Sequence, residues 1–169
     1  MLPKTVMTDD FVTHLPKGGY LVIPSHILDT LSKYRQRNSS QPESGGTFIG
    51  CFRQGSDDGP ISIEIVSYTE PSKMDSASRY GFVRKSKHHI QKVLNAWKRS
   101  GRGLTYLGEW HTHPESKPNP SIVDIANWKK NLKGKTAILM IFGMESDWIA
   151  IWDGSEITEL PPLIPDQPI

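Results

Sequence analysis

A single α/β (α+β) domain, with about three helices interleaved among its strands, is the fold that this chain of 169 residues predicts. Six to eight short apolar or alternating runs read as strands, and three stretches with apolar residues at helical spacing stand between them, which interleaves helices with the strands of one sheet. No internal repeat and no long interior linker divides the chain, and its length suits one domain with its own core.

The elements follow in order. Residues 1–17 form an N-terminal segment, with a short strand or helical turn around Phe11 to His14. Lys17-Gly18-Gly19 signals a turn into a short strand, Tyr20 to Ile23. Pro24 opens a helix, because the first turn does not use the donor that proline lacks; Ile27, Leu28, Leu31 and Tyr34 share one side. A polar loop, 36–42, leads through Glu43-Ser44-Gly45-Gly46 into a buried strand, Thr47 to Phe52. The paired glycines permit a turn or a close approach of backbone.

Residues 53–60 are a hairpin loop, and Ile61 to Val66 alternates strictly as a strand. The polar run 69–78 is a long loop, and Arg79 to Val83 a further strand. Ser86 caps a helix in which Ile90, Val93, Leu94 and Trp97 fit the amphipathic template, and Ser100-Gly101 ends it. His88 and His89, in its first turn, are expected at the surface or its boundary. Leu104 to His113 is a strand, and a helix begins at Ser121 with Ile125, Trp128 and Leu132 on one face. After Lys133-Gly134 come two strands, Thr136 to Phe142 and Trp148 to Trp152, joined by a turn that includes Gly143 and Asp147. The domain spans 18–158, and 159–169 is a proline-rich tail.

Composition narrows the function classes. Hydrophobic content of 36% with 22% charged residues is that of an ordinary soluble protein, and no run approaches the ~18 apolar residues of a membrane span. The N-terminus lacks the charged-then-apolar layout of a secretion signal. The single cysteine, Cys51, excludes an internal disulfide and fits a reducing compartment, so a cytoplasmic protein is expected. A net charge of +2 is too small to argue for nucleic acid. The basic clusters at 84–87 and 98–102 flank a helix and read as a solvated face.

The chemistry gathers in residues 109–124, EWHTHPESKPNPSIVD. His111 and His113 are two apart on a strand, so they project from one face, roughly 7 Å apart at Cα. Pro114, Pro118 and Pro120 make a stiff connection that can return Asp124, at the start of the next helix, to the histidines. Two histidines and one carboxylate leave a fourth position for water, the layout of a catalytic rather than a structural zinc. Ser121-x-x-Asp124 is also a capping-box-like helix start. Glu43, directly before Gly-Gly and a buried strand, is the candidate general base, although a carboxylate in a loop is ordinarily just solvated. Glu109 shares a strand face with the histidines; it is either a hydrogen-bond partner that orients an imidazole or the base in place of Glu43. Trp110 and Thr112 point the other way, into the core. A cysteine nucleophile would have to be Cys51, which lies within the apolar run Ile49 to Phe52, where a thiol is buried and inert.

His111-x-His113, seven residues, Ser121-x-x-Asp124 and the upstream glutamate together resemble the motif of the JAMM (MPN-plus, or JAB) zinc metalloproteases. The resemblance spans roughly residues 18–153 and implies the JAB/MPN fold, a curved mixed β-sheet flanked by about three helices. It implies that His111, His113 and Asp124 bind zinc, that Glu43 rather than Glu109 activates the zinc-bound water, and that Ser121 helps to stabilise the tetrahedral intermediate. Members of the family cleave isopeptide or peptide bonds after the C-terminal tail of ubiquitin or a ubiquitin-like modifier. The stretch TYLGEWHTHPE is most similar to small bacterial JAMM proteins that accompany ubiquitin-activating- and conjugating-enzyme-like partners in antiphage operons, including those built around a cyclic-oligonucleotide synthase. The implied activity is removal of the synthase, or another target, from its conjugated form. The chain departs from eukaryotic members in having no long insertion after the Ser121 helix, which they use to recognise the modifier. Two alternatives share the fold: a RadC-like DNA-associated protein, for whose N-terminal helical region the 42 residues before Glu43 leave little room, and a metal-free MPN scaffold, which typically has lost motif residues that are all present here.

Overall fold

Ala137–Phe142 is a run with no polar residue, which is what a strand covered on both faces requires. In a computed structural model that describes residues 10–38 and 40–161, it lies within an eight-stranded mixed sheet. The strands are β1 (Phe11–His14), β2 (Tyr20–Ile23), β3 (Gly45–Gln54), β4 (Ile61–Tyr68), β7 (Thr105–Thr112), β8 (Ala137–Phe142), β9 (Asp147–Trp152) and β10 (Ile157–Glu159). Their order is β1-β2-β4-β3-β7-β8-β9-β10. A separate hairpin pairs β5 (Ser76–Ser78) with β6 (Gly81–Val83). The helices are α1 (Ser25–Ser32), α2 (His88–Arg99) and α3 (Ile122–Asn131), three as expected.

Alternation along β8 divides the core. Ile138, Met140 and Phe142 pack with Trp110, Phe48 and the Ile27, Leu28 and Leu31 face of α1. Ala137, Leu139 and Ile141 pack with Trp148, Trp152 and the Trp128 and Leu132 face of α3. Successive side chains of a strand point to opposite faces, so α1 and α3 cover opposite sides of the sheet. β7 and β8 are parallel, and α3 is the crossover between them.

A bulge decides which side the histidine strand presents. The pairing of β3 with β7 slips between Phe48 and Ile49, opposite Gly108, whose φ is +141°. A Cβ there would run into the Ile138 carbonyl, so only glycine fits. The extra residue puts Leu107 in the α1-side core while Glu109 faces the α3 side, although simple alternation would give the two one face. β3 begins at Gly45, earlier than Thr47: a Cβ on Gly45 would meet the Phe82 ring 2.6 Å away, and one on Gly46 the Trp110 indole at 2.7 Å.

Three expectations need correction. The 69–78 loop ends in β5, and the strand expected over 79–83 narrows to β6. Ser86 does not cap α2; Lys87 takes that position without a side-chain bond, and the Ser86 hydroxyl pairs with His88 Nδ1 at 2.6 Å. His89 is not at the surface but 2% exposed. Its Nδ1 meets Thr69 Oγ1 at 2.6 Å and its Nε2 meets Asp75 Oδ2 at 2.9 Å. Asp75 Oδ1 in turn accepts from the backbone of Lys85 and Ser86, both at 2.8 Å. This buried polar knot, rather than an apolar face, fastens the 72–86 excursion to the end of β4. The apolar face of α2 is left open: Ile90 is 65% and Leu94 47% exposed, facing a groove towards α3.

Strand β1 pairs with β2 at one edge of the sheet, β10 pairs with β9 at the other, and Leu160 is buried. The rest of the N-terminal segment, 1–9, and of the proline-rich tail, 162–169, lies outside the described residues. No described helix is long and apolar enough to cross a membrane.

Candidate metal centre

Glu43 and His111 are far apart in sequence, and the β3–β7 pairing brings their segments together, with Gly45 opposite His111. Thr112, pointing away from the cleft, holds this junction: its Oγ1 accepts from Ser44 N and its own N–H donates to Ser44 O, each at 2.9 Å. The N–H of Glu43 donates to Ser78 O at 2.7 Å, which ties it to the β5–β6 hairpin.

Below the histidines the loop is braced from β8. His113 N donates to Phe142 O at 3.0 Å and Met144 N to Glu115 O at 2.7 Å. Arg35, just past α1, donates to Gly143 O at 2.9 Å, forms a bidentate ion pair with Asp147, and lies over the Phe142 ring.

Ser121 and Asp124 form a complete capping box. Ser121 Oγ accepts from Asp124 N at 3.1 Å, and Asp124 Oδ2 accepts from Ser121 N at 2.8 Å. The same Oδ2 stands 3.4 Å from His111 Nε2 and 3.2 Å from His113 Nε2, and the two nitrogens are 3.0 Å apart. Ligands at ~2.0–2.1 Å from a tetrahedral ion are ~3.3 Å from one another, so these three separations match one face of such a tetrahedron. Two neutral imidazoles and a carboxylate suit a borderline divalent ion. His111, His113 and Asp124 can therefore hold a metal, and the capping function of Asp124 does not interfere.

The electrostatics separate the carboxylates. Burial pushes Glu43 up to about 7; His113 opposes that, while Asp124 and Glu115 add to it. Asp124 is also disfavoured by burial, but hydrogen bonds from both histidines, the charge of His111 and the Ser121 N–H hold it far below the carboxylate range. His113 is raised overall, since its Asp124 partner outweighs its burial. Its Nδ1 is buried without a hydrogen bond among the described residues, the nearest carboxylate oxygen being Glu115 Oε2 at 3.7 Å.

Glu109 is not placed to take a proton. Oε1 accepts from Trp128 Nε1 at 2.7 Å; Oε2 accepts from Arg84 Nη2 at 2.8 Å and from the Tyr106 hydroxyl at 3.3 Å. Burial disfavours its charge, but Arg84 and the Trp128 bond more than compensate, and its pKa falls below the usual value. Sequence reasoning left Glu109 open and missed Arg84, Trp128 and Tyr106 as its partners; Trp128, one helical turn after Asp124, was the available clue. Cys51 pairs with Glu64 across β3–β4, away from the cleft.

The cleft holds about 350 Å³ and is bordered by Glu43, Phe82, Arg84, His113, Ser121 and Val123. Through Phe82, Val83, Arg84 and Trp128 it runs into the larger groove, about 590 Å³, between α2 and α3. A buried carboxyl, a trio that could hold a metal ion and a serine hydroxyl thus share one cleft, the kinds of group from which a hydrolytic centre for carbonyl substrates is built.

Residues 24–153 match the family described as prokaryotic homologs of the JAB domain. A protein of Escherichia coli (strain TW11681) described as a CD-NTase/cGAS isopeptidase is 39% identical over 147 residues, 86% of each chain. One of the same description from Vibrio cholerae serotype O1 is 35% identical over 130 residues, 76% of this chain and 80% of its own. The solution structure of DSY2949 from Desulfitobacterium hafniense shares the fold at a TM-score of 0.52 and 17% identity, over 79% of this chain and 84% of that one.

Proposed function

The chain belongs to the prokaryotic JAB-domain family, and on that footing we propose that this hydrolytic enzyme is a zinc-dependent isopeptidase. It cleaves the bond between the C-terminus of one protein and an amine of another. The observation that carries this reading is the convergence of His111, His113 and Asp124 beside a buried Glu43 whose proton affinity lies near neutrality.

His111, His113 and Asp124 would hold the zinc, which when bound would supply an acidified water and a Lewis acid for the scissile carbonyl. Glu43, buried in the cleft wall beside the histidines, would take the proton of the attacking water and pass it to the departing amine. Ser121 Oγ uses a lone pair on Asp124 N, which leaves its hydrogen for the carbonyl oxygen as negative charge develops there. One such donor is worth about 3 kcal/mol in the transition state. Arg84 keeps Glu109 anionic, so Glu43 is the carboxyl that can exchange a proton.

The relatives described as CD-NTase/cGAS isopeptidases support a substrate in which a nucleotidyltransferase of that kind is the conjugated protein. The resemblance carried by TYLGEWHTHPE supports a setting in antiphage defence with activating- and conjugating-enzyme-like partners, and the single cysteine supports a cytoplasmic one. The α2–α3 groove, where Ile90, Val93 and Leu94 stand with Arg84, Lys85 and Asn127, would give the tail of the conjugated protein a track into the cleft. The test is cleavage of a fusion carrying the C-terminal tail of such a nucleotidyltransferase. Release of the tail that stops with a zinc chelator and returns with zinc is expected. Cleavage indifferent to the chelator would exclude the metal mechanism, and a purified protein without stoichiometric zinc would favour a scaffold.

A further inference from the structure

We infer that Glu109 is a positioning residue for the metal centre: through Trp128 it sets where α3, and with it Asp124, stands against the histidines of β7. The inference rests on the metal-centre reading above. The capping box fixes the Asp124 carboxylate within α3, but it does not fix α3 against the sheet. The hydrogen bond that does so beside the site is Trp128 Nε1 to Glu109 Oε1, 2.7 Å. Trp128 follows Asp124 by four residues and so lies one turn along the same side of the helix. Glu109 precedes His111 by two and lies on the same face of the strand. A single bond thus joins the neighbour of the carboxylate ligand to the neighbour of the histidine ligands.

Neither end of that bond can drift. The Trp128 indole is 2% exposed and stacks on Trp148, centroids 5.8 Å apart and planes 2° apart, with the His111 ring 6.2 Å away. On the other oxygen of Glu109, Arg84 brings in the segment between β6 and α2, and Tyr106 brings in the start of β7. Two walls of the cleft, α3 and the Arg84 segment, therefore end on one carboxylate of β7. Removing it leaves an indole N–H and a guanidinium without their acceptor, and the remaining hydrogen bond from the sheet, Trp152 Nε1 to Leu132 O at 2.7 Å, holds only the far end of α3, so the Asp124 end is set by less directional apolar packing.

The alternative is that Glu109 only stabilises the fold, and metal affinity separates the two. Four variants of the full chain suffice: E109A, E109Q, W128F and, as control, L132A, which removes a 4% exposed side chain from the same end of the structure without touching this bond. Zinc affinity is read by competition with a chromophoric chelator, and site geometry by the visible absorption of the cobalt(II) form. We expect E109A and W128F to bind zinc roughly 10- to 100-fold more weakly, with an altered cobalt spectrum, the loss usual when the partner that orients a ligand is removed. E109Q, which still accepts from the indole, should stay within about threefold of wild type, as should L132A. Wild-type affinity and spectrum in both E109A and W128F would overturn the inference, and so would a loss in L132A equal to theirs. A wild-type protein that takes up no ion would instead bring down the metal-centre reading, and the inference with it.

Discussion

Replacing Glu43 by glutamine should abolish cleavage and stabilise the protein, and the stabilisation can be worked out from burial. The Glu43 side chain is 5% exposed, and its pKa rises from 4.5 to about 7 in the fold. A raised carboxyl pKa means that the folded state binds the proton more tightly, so the group favours folding at low pH and opposes it as pH rises through the folded value. At pH 8 the ionised carboxylate costs the metal-free fold roughly 3 kcal/mol, and at pH 5 less than about 1. Glutamine has nearly the same shape and no charge to desolvate. Urea unfolding of the chelated proteins should therefore show E43Q to be roughly 3 kcal/mol more stable at pH 8, a shift of roughly 6–12 °C in Tm for a chain of this size, with the gap mostly closed at pH 5. Zinc restores a preference for the anion, so the gain should shrink in the loaded protein, while E43Q keeps the metal. The same stability difference at both pH values would refute the buried, near-neutral Glu43 from which its role as base is argued.

His113→Ala removes one of three ligands, so zinc content and cleavage should be lost together; retained stoichiometric zinc in elemental analysis would count against the ligand set. Ser121→Ala should lower kcat by about 10²–10³ with zinc still bound, and cost the fold about 1 kcal/mol through the lost cap. Undiminished kcat with the cap loss alone would leave Ser121 only its capping role. Asp75, 1% exposed at its side chain, is held at about 2: burial opposes ionisation, but the N–H groups of Ser86 and Ser72 and the His89 bond outweigh it. Depression of a carboxyl pKa stabilises above the unfolded value, so D75N should cost roughly 2 kcal/mol at pH 7, and denaturation midpoints should converge as pH falls from 4 towards 2. Leu94→Glu, on the open face of α2, should raise KM for the tail fusion while leaving kcat and stability near wild type; an unchanged KM would remove the groove from the substrate path.

Much of the architecture was legible because it rests on local rules. Ala137 to Phe142 is apolar throughout, Ile61 to Val66 alternates, and Ser121 with Asp124 is spaced to cap a helix. α2 shows where such rules stop. Its Ile90, Val93 and Leu94 have helical spacing, yet the residue that anchors the helix is His89, through Thr69 and Asp75, which no periodicity marks. Burying a histidine depends on partners 20 and 14 residues away meeting its two nitrogens. The phase of β7 is similar: Gly108 resets it, and that follows from a clash with the Ile138 carbonyl on another strand.

For the site, the sequence by itself determined the kinds of group available and the local geometry that joins them: two imidazoles on one strand face, and a carboxylate in the first turn of a capped helix. Those depend on separations of two and three residues, over which backbone periodicity carries side-chain direction. Only the tertiary structure decided which carboxylate is free to exchange a proton. Glu43 and Glu109 are alike in chemistry and both lie near the histidines, but folding gives Glu109 Arg84, Trp128 and Tyr106, and buries Glu43 beside His113. Proton affinity is set by the whole surrounding shell of charge and burial, and that shell is assembled from segments that the sequence holds far apart.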